Sequence, residues 1–200
     1  MKKLILLICA FFVSSSLAFA KAAINQPAPD FTLTTSQGES VKLSDYKGKT
    51  VILEWTNHLC PYVQKHYDSN NMQTLQKQYT EKNVVWLSII SSAQGKQGYV
   101  TADEANTLTQ QRSAAPTAVL FDPDGTVGKA YNAKTTPHMY IIDANGILKY
   151  QGAIDSIKST NQADIPKAEN YLVTAMNALE KGEKIQRPVT AAYGCSVKYK

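Results

Sequence analysis

Two hundred residues, 44% of them hydrophobic and 18% charged, make one globular domain with a sizeable core and leave little room for a second. The formal charge of +5 comes from basic residues scattered along the chain without aromatic interleaving, which argues against a nucleic-acid interface. No apolar stretch beyond residue 20 approaches the length needed to cross a bilayer, so stable membrane insertion is not expected.

The first twenty residues stand apart. Lys2-Lys3 form a charged start, Leu4 to Val13 an apolar run, and Ala18-Phe19-Ala20 a small-x-small cleavage site. This is the pattern of a secretory signal peptide, with a mature chain from about Lys21 and a secreted or periplasmic location. Ile8, before Cys9, is too bulky for a lipoprotein-type site. Without Lys2 and Lys3 the basic excess falls to +3, and without Cys9 two cysteines remain, Cys60 and Cys195. An even pair in an oxidising compartment reads either as a structural disulfide or as a redox pair in which Cys195 resolves what Cys60 becomes. A domain of this size does not need a staple, which favours the second reading.

In chain order, residues 21–29 form a small, polar, Pro-containing lead. Phe31-Thr32-Leu33 and Ser40-Val41-Lys42-Leu43 alternate as half-buried strands do, around a turn at residues 36–39. A short capped turn at 44–48 precedes a buried strand at 50–55. From Pro61 to about Tyr79 the spacing predicts a helix, with Asp68-Ser69-Asn70-Asn71 a place for a kink. Residues 84–90 are apolar almost throughout, as a central parallel strand would be. A loop at 91–100 is long enough to border a site. Thr101 with Glu104 predicts a capping box for a helix over 102–112. A strand at 117–121, a turn at 122–125 and a short helix at 126–131 follow. Tyr140 to Ile142 and Ile147 to Tyr150 predict a hairpin, and Ala168, Leu172, Ala175, Met176 and Leu179 fall on one face of a final helix.

Within this frame Cys60 draws the chemistry. It follows a buried strand and directly precedes Pro61, a residue suited to the first position of a helix. At a helix N-cap its sulfur lies near unpaired N–H groups and the positive end of the helix dipole, which favours the thiolate, the attacking species. A strand–Cys–helix unit followed by Thr136-Pro137 before another strand is the working core of thioredoxin-like proteins.

Several motifs together resemble the peroxiredoxin and thiol-specific-antioxidant (AhpC/TSA-type) redoxins over residues 25–181. They are Ala28-Pro29-Asp30-Phe31, Lys47-Gly48-Lys49, Cys60-Pro61, Phe121-Asp122-Pro123-Asp124-Gly125 with Lys129-Ala130-Tyr131, and Ile141-Ile142-Asp143-Ala144-Asn145-Gly146. The chain is most similar to the branch with Asn-His-x-Cys-Pro-Tyr-Val and a C-terminal Gly-Cys-Ser. The resemblance implies an α/β thioredoxin-like fold: a central mixed sheet flanked by helices, with an N-terminal β-hairpin extension. Three departures stand out. Val63 occupies the place of a second cysteine in a Cys-x-x-Cys loop. Asn57 occupies the place of the threonine that precedes a peroxidatic cysteine by three. The Thr136-Pro137-His138 loop stands where that family carries an arginine, in a chain with only Arg112 and Arg187.

The resemblance also implies that Pro137 is cis, with Thr136 supplying backbone groups to an extended substrate. His58 and His138 are expected to face each other across the thiol. There they would act as protonated imidazoles that stabilise thiolate, as Cu(I) ligands beside Cys60, or merely as a frame for the loop. His66 reads as structural, and Tyr62 and Trp55 as core or rim aromatics. Cys195 lies in a tail without periodicity, after Gln186-Arg187-Pro188, which suits a mobile resolving thiol or a permanent bond.

The expected organisation is a signal peptide at 1–20, a redoxin domain at 21–182 and a Cys195-bearing tail at 183–200. The expected function is an exported thiol oxidoreductase that uses no cofactor and no metal. Cys60 would attack a small hydroperoxide or a protein disulfide, Cys195 would resolve it, and a thioredoxin-like reductant would restore both. Thr56, Asn57, His58, Pro61, Thr136, Pro137 and His138 would support the site. A copper-delivery module and a non-catalytic interaction domain are the alternatives.

Overall fold

The computed structural model describes residues 21–200; the expected signal peptide lies outside the described residues. Strands β1 (Thr32–Thr35), β2 (Ser40–Lys42), β3 (Val51–Trp55), β4 (Val85–Ile90), β5 (Ala118–Phe121), β7 (His138–Ile142) and β8 (Leu148–Gly152) form one sheet in the order β2-β1-β5-β4-β3-β7-β8. β4 runs parallel to both β3 and β5, while β7 and β8 continue antiparallel beyond β3. This is the mixed thioredoxin-like sheet expected. The N-terminal hairpin is no separate appendage, because β1 pairs with β5 and extends the sheet to β2.

β3 explains why the sheet is covered on both faces. All five of its residues are buried, and their alternation sends them to opposite sides. Val51, Leu53 and Trp55 join one core with Phe31, Leu87, Ile89, Tyr131 and Tyr140. Ile52 joins the other with Trp86, Met139, Ile141 and the apolar faces of the helices α1 (Pro61–Asp68), α2 (Asn71–Glu81) and α5 (Tyr171–Glu180). Full burial of Ile52, Leu53, Leu87 or Ile89 contributes roughly 1.5–3 kcal/mol each. Glu54 also falls on the helix side, wholly buried. It accepts from Tyr67 at 2.9 Å, Trp86 at 2.9 Å, Ser88 at 3.0 Å and Gln76 at 3.3 Å, so its lone pairs are matched inside the core.

The helix expected over 61–79 is two helices. Ser69 closes the first, and Asn70 turns left-handed at φ 61° before the second, which runs to Glu81. The helix α3 (Ala102–Gln111) carries the Thr101–Glu104 capping box, and α4 (Thr126–Ala130) follows the turn after β5. Ala168 is not on α5; it closes a 3₁₀ segment, Gln162–Lys167, that the apolar spacing does not reveal.

The sequence leaves the tail as a mobile arm or one pinned by a permanent bond; here it is docked by hydrogen bonds with both thiols free. Gln151 N–H donates to Pro188 C=O, Thr190 N–H to Gln151 C=O, and Ala153 N–H to the Thr190 hydroxyl. Further on, a two-stranded ladder joins β6 (Thr135–Thr136) to β9 (Cys195–Ser196). Val197 N–H donates to Lys134 C=O, Ala93 N–H to Lys198 C=O, and Tyr199 O–H to Ala133 C=O. The tail is docked on the domain along its length.

Candidate active site

The thiol loop is built by ending one element and starting another. Thr56 N–H makes a last bond to Ile89 C=O, after which Asn57 to Leu59 leave the sheet. The chain then turns tightly, with Cys60 N–H donating to Asn57 C=O at 3.0 Å. Cys60 is the N-cap of α1 in extended backbone (φ −81°, ψ 121°), and Pro61 fills the first helical turn. Val63 and Gln64 N–H both donate to Cys60 C=O.

From the other side comes β6, and the Thr136–Pro137 peptide is cis. The Cys60 Sγ–H donates to Thr136 C=O at 3.1 Å. Because β9 lies beside β6 with Cys195 opposite Thr136, the Cys195 N–H donates to Cys60 Sγ at 3.4 Å. Both cysteines are free thiols. Cys60 is entirely buried, whereas Cys195 is half-buried.

Electrostatics divides the pair. Burial works against a charged Cys60, yet hydrogen bonds from the Cys195 thiol and N–H, the Thr136 side chain and Val63 N–H outweigh it and hold the Cys60 thiol below its ordinary range. Cys195 moves the other way, up to about 11, through burial, its bond to Cys60 and the charge there. The proton therefore stays on Cys195 and the anion forms on Cys60, the polarity an attacking and a resolving sulfur need.

The histidines do not serve as expected. His138 is buried, its pKa lowered to about 4 by burial and then by Lys134. Its Nδ1 faces Tyr140 Oη at 3.2 Å and Lys134 N–H at 3.4 Å, and its ring lies 4.6 Å from that of Tyr140. His58 is also held below the ordinary range, by burial and by Arg112, against an opposite pull from Glu104. Both shifts disfavour the imidazolium, which argues against stabilisation of the thiolate by charge from either ring. Among the described residues no three His, Cys, Asp or Glu side chains come together to hold a metal, so the Cys60–His58–His138 copper site is not assembled.

Asn57 is committed to the loop itself. Its Oδ1 accepts from Leu59 N–H and its Nδ2 donates to Gln97 C=O, which ties the thiol loop to the 91–100 loop. Arg112 stacks 4.8 Å over Tyr67 and donates to His58 C=O at 3.0 Å. Thr56, His58 and Arg112 line a cleft with Tyr67 and Leu108 that does not include Cys60. The structure thus brings Cys60, Cys195, Pro61, Thr136 and Pro137 together, places Thr56 and His58 on a neighbouring cleft, and pairs His138 with Tyr140 and Lys134.

Sequence reasoning missed a buried polar cluster. Lys65 Nζ lies 3.1 Å from Asp155 Oδ2, with side chains 0% and 3% exposed. Lys65 also donates to Ile157 C=O, and His66 Nε2 stands 3.7 Å from the same carboxylate. Tyr193 O–H donates to Asp155 Oδ1, so the cluster grips the tail two residues before Cys195. Nothing in the local pattern separates Lys65 from a solvated lysine; its partner is 90 residues away.

Residues 24–151 match the AhpC/TSA family. Over 125 residues the chain is 32% identical to the thioredoxin-like protein YneN of Bacillus subtilis, covering 62% of this chain and 68% of that one. It is 26% identical over 151 residues to the thiol-disulfide oxidoreductase ResA of Bacillus subtilis, covering 68% and 84%. Among solved structures, an uncharacterized conserved protein of Geobacillus kaustophilus superimposes with a TM-score of 0.79 at 26% identity over 92% of this chain and 94% of that one. A Chlorobium tepidum protein described as the thiol:disulfide interchange protein DsbE superimposes at 0.54 with 27% identity, over 66% and 85%. With the fold shared and more than half of its length matched, the chain belongs to the AhpC/TSA family and is a thioredoxin-fold, thiol-dependent oxidoreductase.

Proposed function

We propose that the protein is an exported thiol–disulfide oxidoreductase whose redox pair is Cys60 and Cys195. The observation that carries this reading is the Cys195 N–H at 3.4 Å from Cys60 Sγ, which sets the second cysteine beside the first while both are thiols. In the cycle, the Cys60 thiolate attacks one sulfur of a substrate disulfide. The substrate S–S bond breaks, the leaving sulfur takes a proton, and a mixed disulfide forms on Cys60. Cys195 then loses its proton and attacks Cys60 Sγ. The second substrate thiol departs, and a Cys60–Cys195 disulfide remains. The substrate has gained two electrons and the pair has lost two; a thioredoxin-like dithiol returns them.

Two features favour a disulfide over a hydroperoxide as the oxidant. The Asn57 amide is spent on Leu59 N–H and Gln97 C=O, and the Arg112 guanidinium is bonded to His58 C=O and stacked on Tyr67, so neither is free to orient a peroxide at the sulfur. The leader-like sequence before Lys21 supports export to a compartment where such disulfides persist.

The test is peptide mapping after one equivalent of oxidised glutathione, beside turnover with a model protein disulfide. The parent should form an intramolecular Cys60–Cys195 disulfide that a dithiol reverses. Cys195→Ser should stall as a mixed disulfide on Cys60, and Cys60→Ser should be inert. Full turnover by Cys195→Ser, or no Cys60–Cys195 bond in the parent, overturns the proposal.

A further inference from the structure

The short ladder between β6 and β9 sits where a guest strand would sit. Cys195 lies opposite Thr136 and Ser196 opposite Thr135, and Val197 N–H continues the pairing to Lys134 C=O. Main-chain bonds to an open edge, with pockets for particular side chains, are how extended peptides are recognised. Here three consecutive positions are read. Cys195 is presented to the Cys60 sulfur. Gly194 adopts φ +137°, and a Cβ there would lie 2.0 Å from Thr136 O and 2.7 Å from its carbonyl carbon, so backbone closes the space on any larger residue. Tyr193 fills a slot: its ring meets Tyr62 edge-on at 5.7 Å, lies 5.9 Å from Lys65 Nζ, and its hydroxyl donates to Asp155.

The tail in this seat also covers the nucleophile. Cys60 is 0% exposed, so no sulfur from outside reaches it while β9 is in place. The Cys195 N–H, 3.4 Å from the sulfur, places that strand directly against it.

The strand seat before Pro137 is the one that the resemblance implies for an extended substrate; we infer that the chain's own tail competes for it, and that it selects a protein segment with glycine immediately before its disulfide-bonded cysteine. The inference rests on the reading of Cys60 and Cys195 as the redox pair and names its substrate class. The tail strand lifts, the guest strand pairs with Thr135 and Thr136, and Cys60 attacks the guest sulfur in the exchange written above. The returning tail then does two things at once. Its strand displaces the guest from the edge, and its thiol displaces the guest's sulfur from Cys60. Resolution and product release become one event.

The seat can be tested without sulfur chemistry. The probe is a fluorescent peptide, Ala-Ala-Tyr-Gly-Ser-Ser-Val-Lys, in which serine replaces the cysteine; a control peptide carries valine in place of glycine. Binding is measured by anisotropy on the reduced full-length protein, on Gly194→Val, whose own tail cannot close on Thr136, and on Tyr193→Phe, which loses only the bond to Asp155. The apparent Kd is the intrinsic Kd divided by the fraction of molecules with an open seat, so Gly194→Val should bind the probe about tenfold or more tighter than the parent, and Tyr193→Phe by a smaller factor in the same direction. The control peptide should not bind either variant. Equal affinity for parent and both variants, or a control peptide that binds as well as the probe, overturns the shared seat. Should Gly194→Val fail to fold, Tyr193→Phe decides. A wrong redox pair would show instead as a missing Cys60–Cys195 bond in mapping, so the two failures are distinct.

Discussion

Lys65→Met tests whether the buried cluster holds the molecule together. The ammonium lies 3.1 Å from Asp155 Oδ2 and 3.2 Å from Ile157 C=O, in a place where the two charged side chains are 0% and 3% exposed. Methionine keeps most of the volume and removes the charge. Asp155 then keeps only the Ile157 N–H and the Tyr193 O–H as donors, a carboxylate out of water without its counter-ion. Removing one partner of a buried pair costs about 3–5 kcal/mol, a large share of the roughly 5–15 kcal/mol that stabilises a domain. The assay is urea unfolding at pH 8 under reducing conditions, followed by tryptophan fluorescence. The loss should shrink by pH 6, because His66 is placed to respond. Burial and Lys65 both push its pKa down and Asp155 pulls it up, so without Lys65 it takes a proton more readily and supplies the missing charge. Lys82→Met, which breaks the exposed pair to Glu180, should leave the midpoint within error. A Lys65→Met loss as small as that of Lys82→Met would refute the reasoning, since it would mean that the pair is solvated.

Two further outcomes follow from the same electrostatics. Burial sets His66 and His138 each at about 4, against about 6.5 in an unfolded chain, so between those values the unfolded state binds more protons and stability rises with pH. The contribution is complete above about pH 7 and is lost as pH falls from 6.5 toward 4, by about 3 kcal/mol per imidazole. Imidazole NMR titration of the folded parent checks it, and a midpoint near 6.5 for either ring would contradict the burial argument. For the thiols, Cys195→Ser removes the Cys195 thiol as a donor and offers a serine hydroxyl in its place, while the residue-195 N–H, Thr136 and Val63 N–H still donate to Cys60; alkylation rate against pH should then give an apparent pKa below the free-cysteine value of about 8.5, at a low absolute rate because the sulfur is covered. A value at or above it would remove Cys60 as the favoured anion.

How much of this was legible in the sequence depends on how local the cause is. β3 and β4 could be read because strands covered on both faces need continuous apolar runs, and Val51–Trp55 and Val85–Ile90 nearly are. The capping box at Thr101 and the Cys60-Pro61 helix start were equally plain, each set by neighbours within four residues. His138 shows the opposite case. Its position after Pro137 suggested a charged role, but its state is fixed by burial and by Lys134 and Tyr140 around it. β9 was illegible for a related reason: two residues between glycine and lysine-rich ends carry no period, and the partner edge alone makes them a strand.

The same distinction bears on how the chemistry is built. In a Cys-x-x-Cys loop one helical turn brings the two sulfurs together, and Val63 denies this chain that route. Here the second cysteine arrives from 135 residues away. Closing so long a loop costs conformational entropy, and with both thiols free no S–S bond helps to offset it. What holds the ends together is the docking of the tail: Thr190 at β8, Tyr193 on Asp155, the ladder to Thr135 and Thr136, and Tyr199 on Ala133. The pair is therefore preassembled by tertiary contacts before any oxidation. On the proposed reading of the pair, tail contacts far from sulfur, such as the Thr190 hydroxyl that takes the Ala153 N–H at 2.9 Å, would govern how often Cys60 meets Cys195 and how often it meets a substrate.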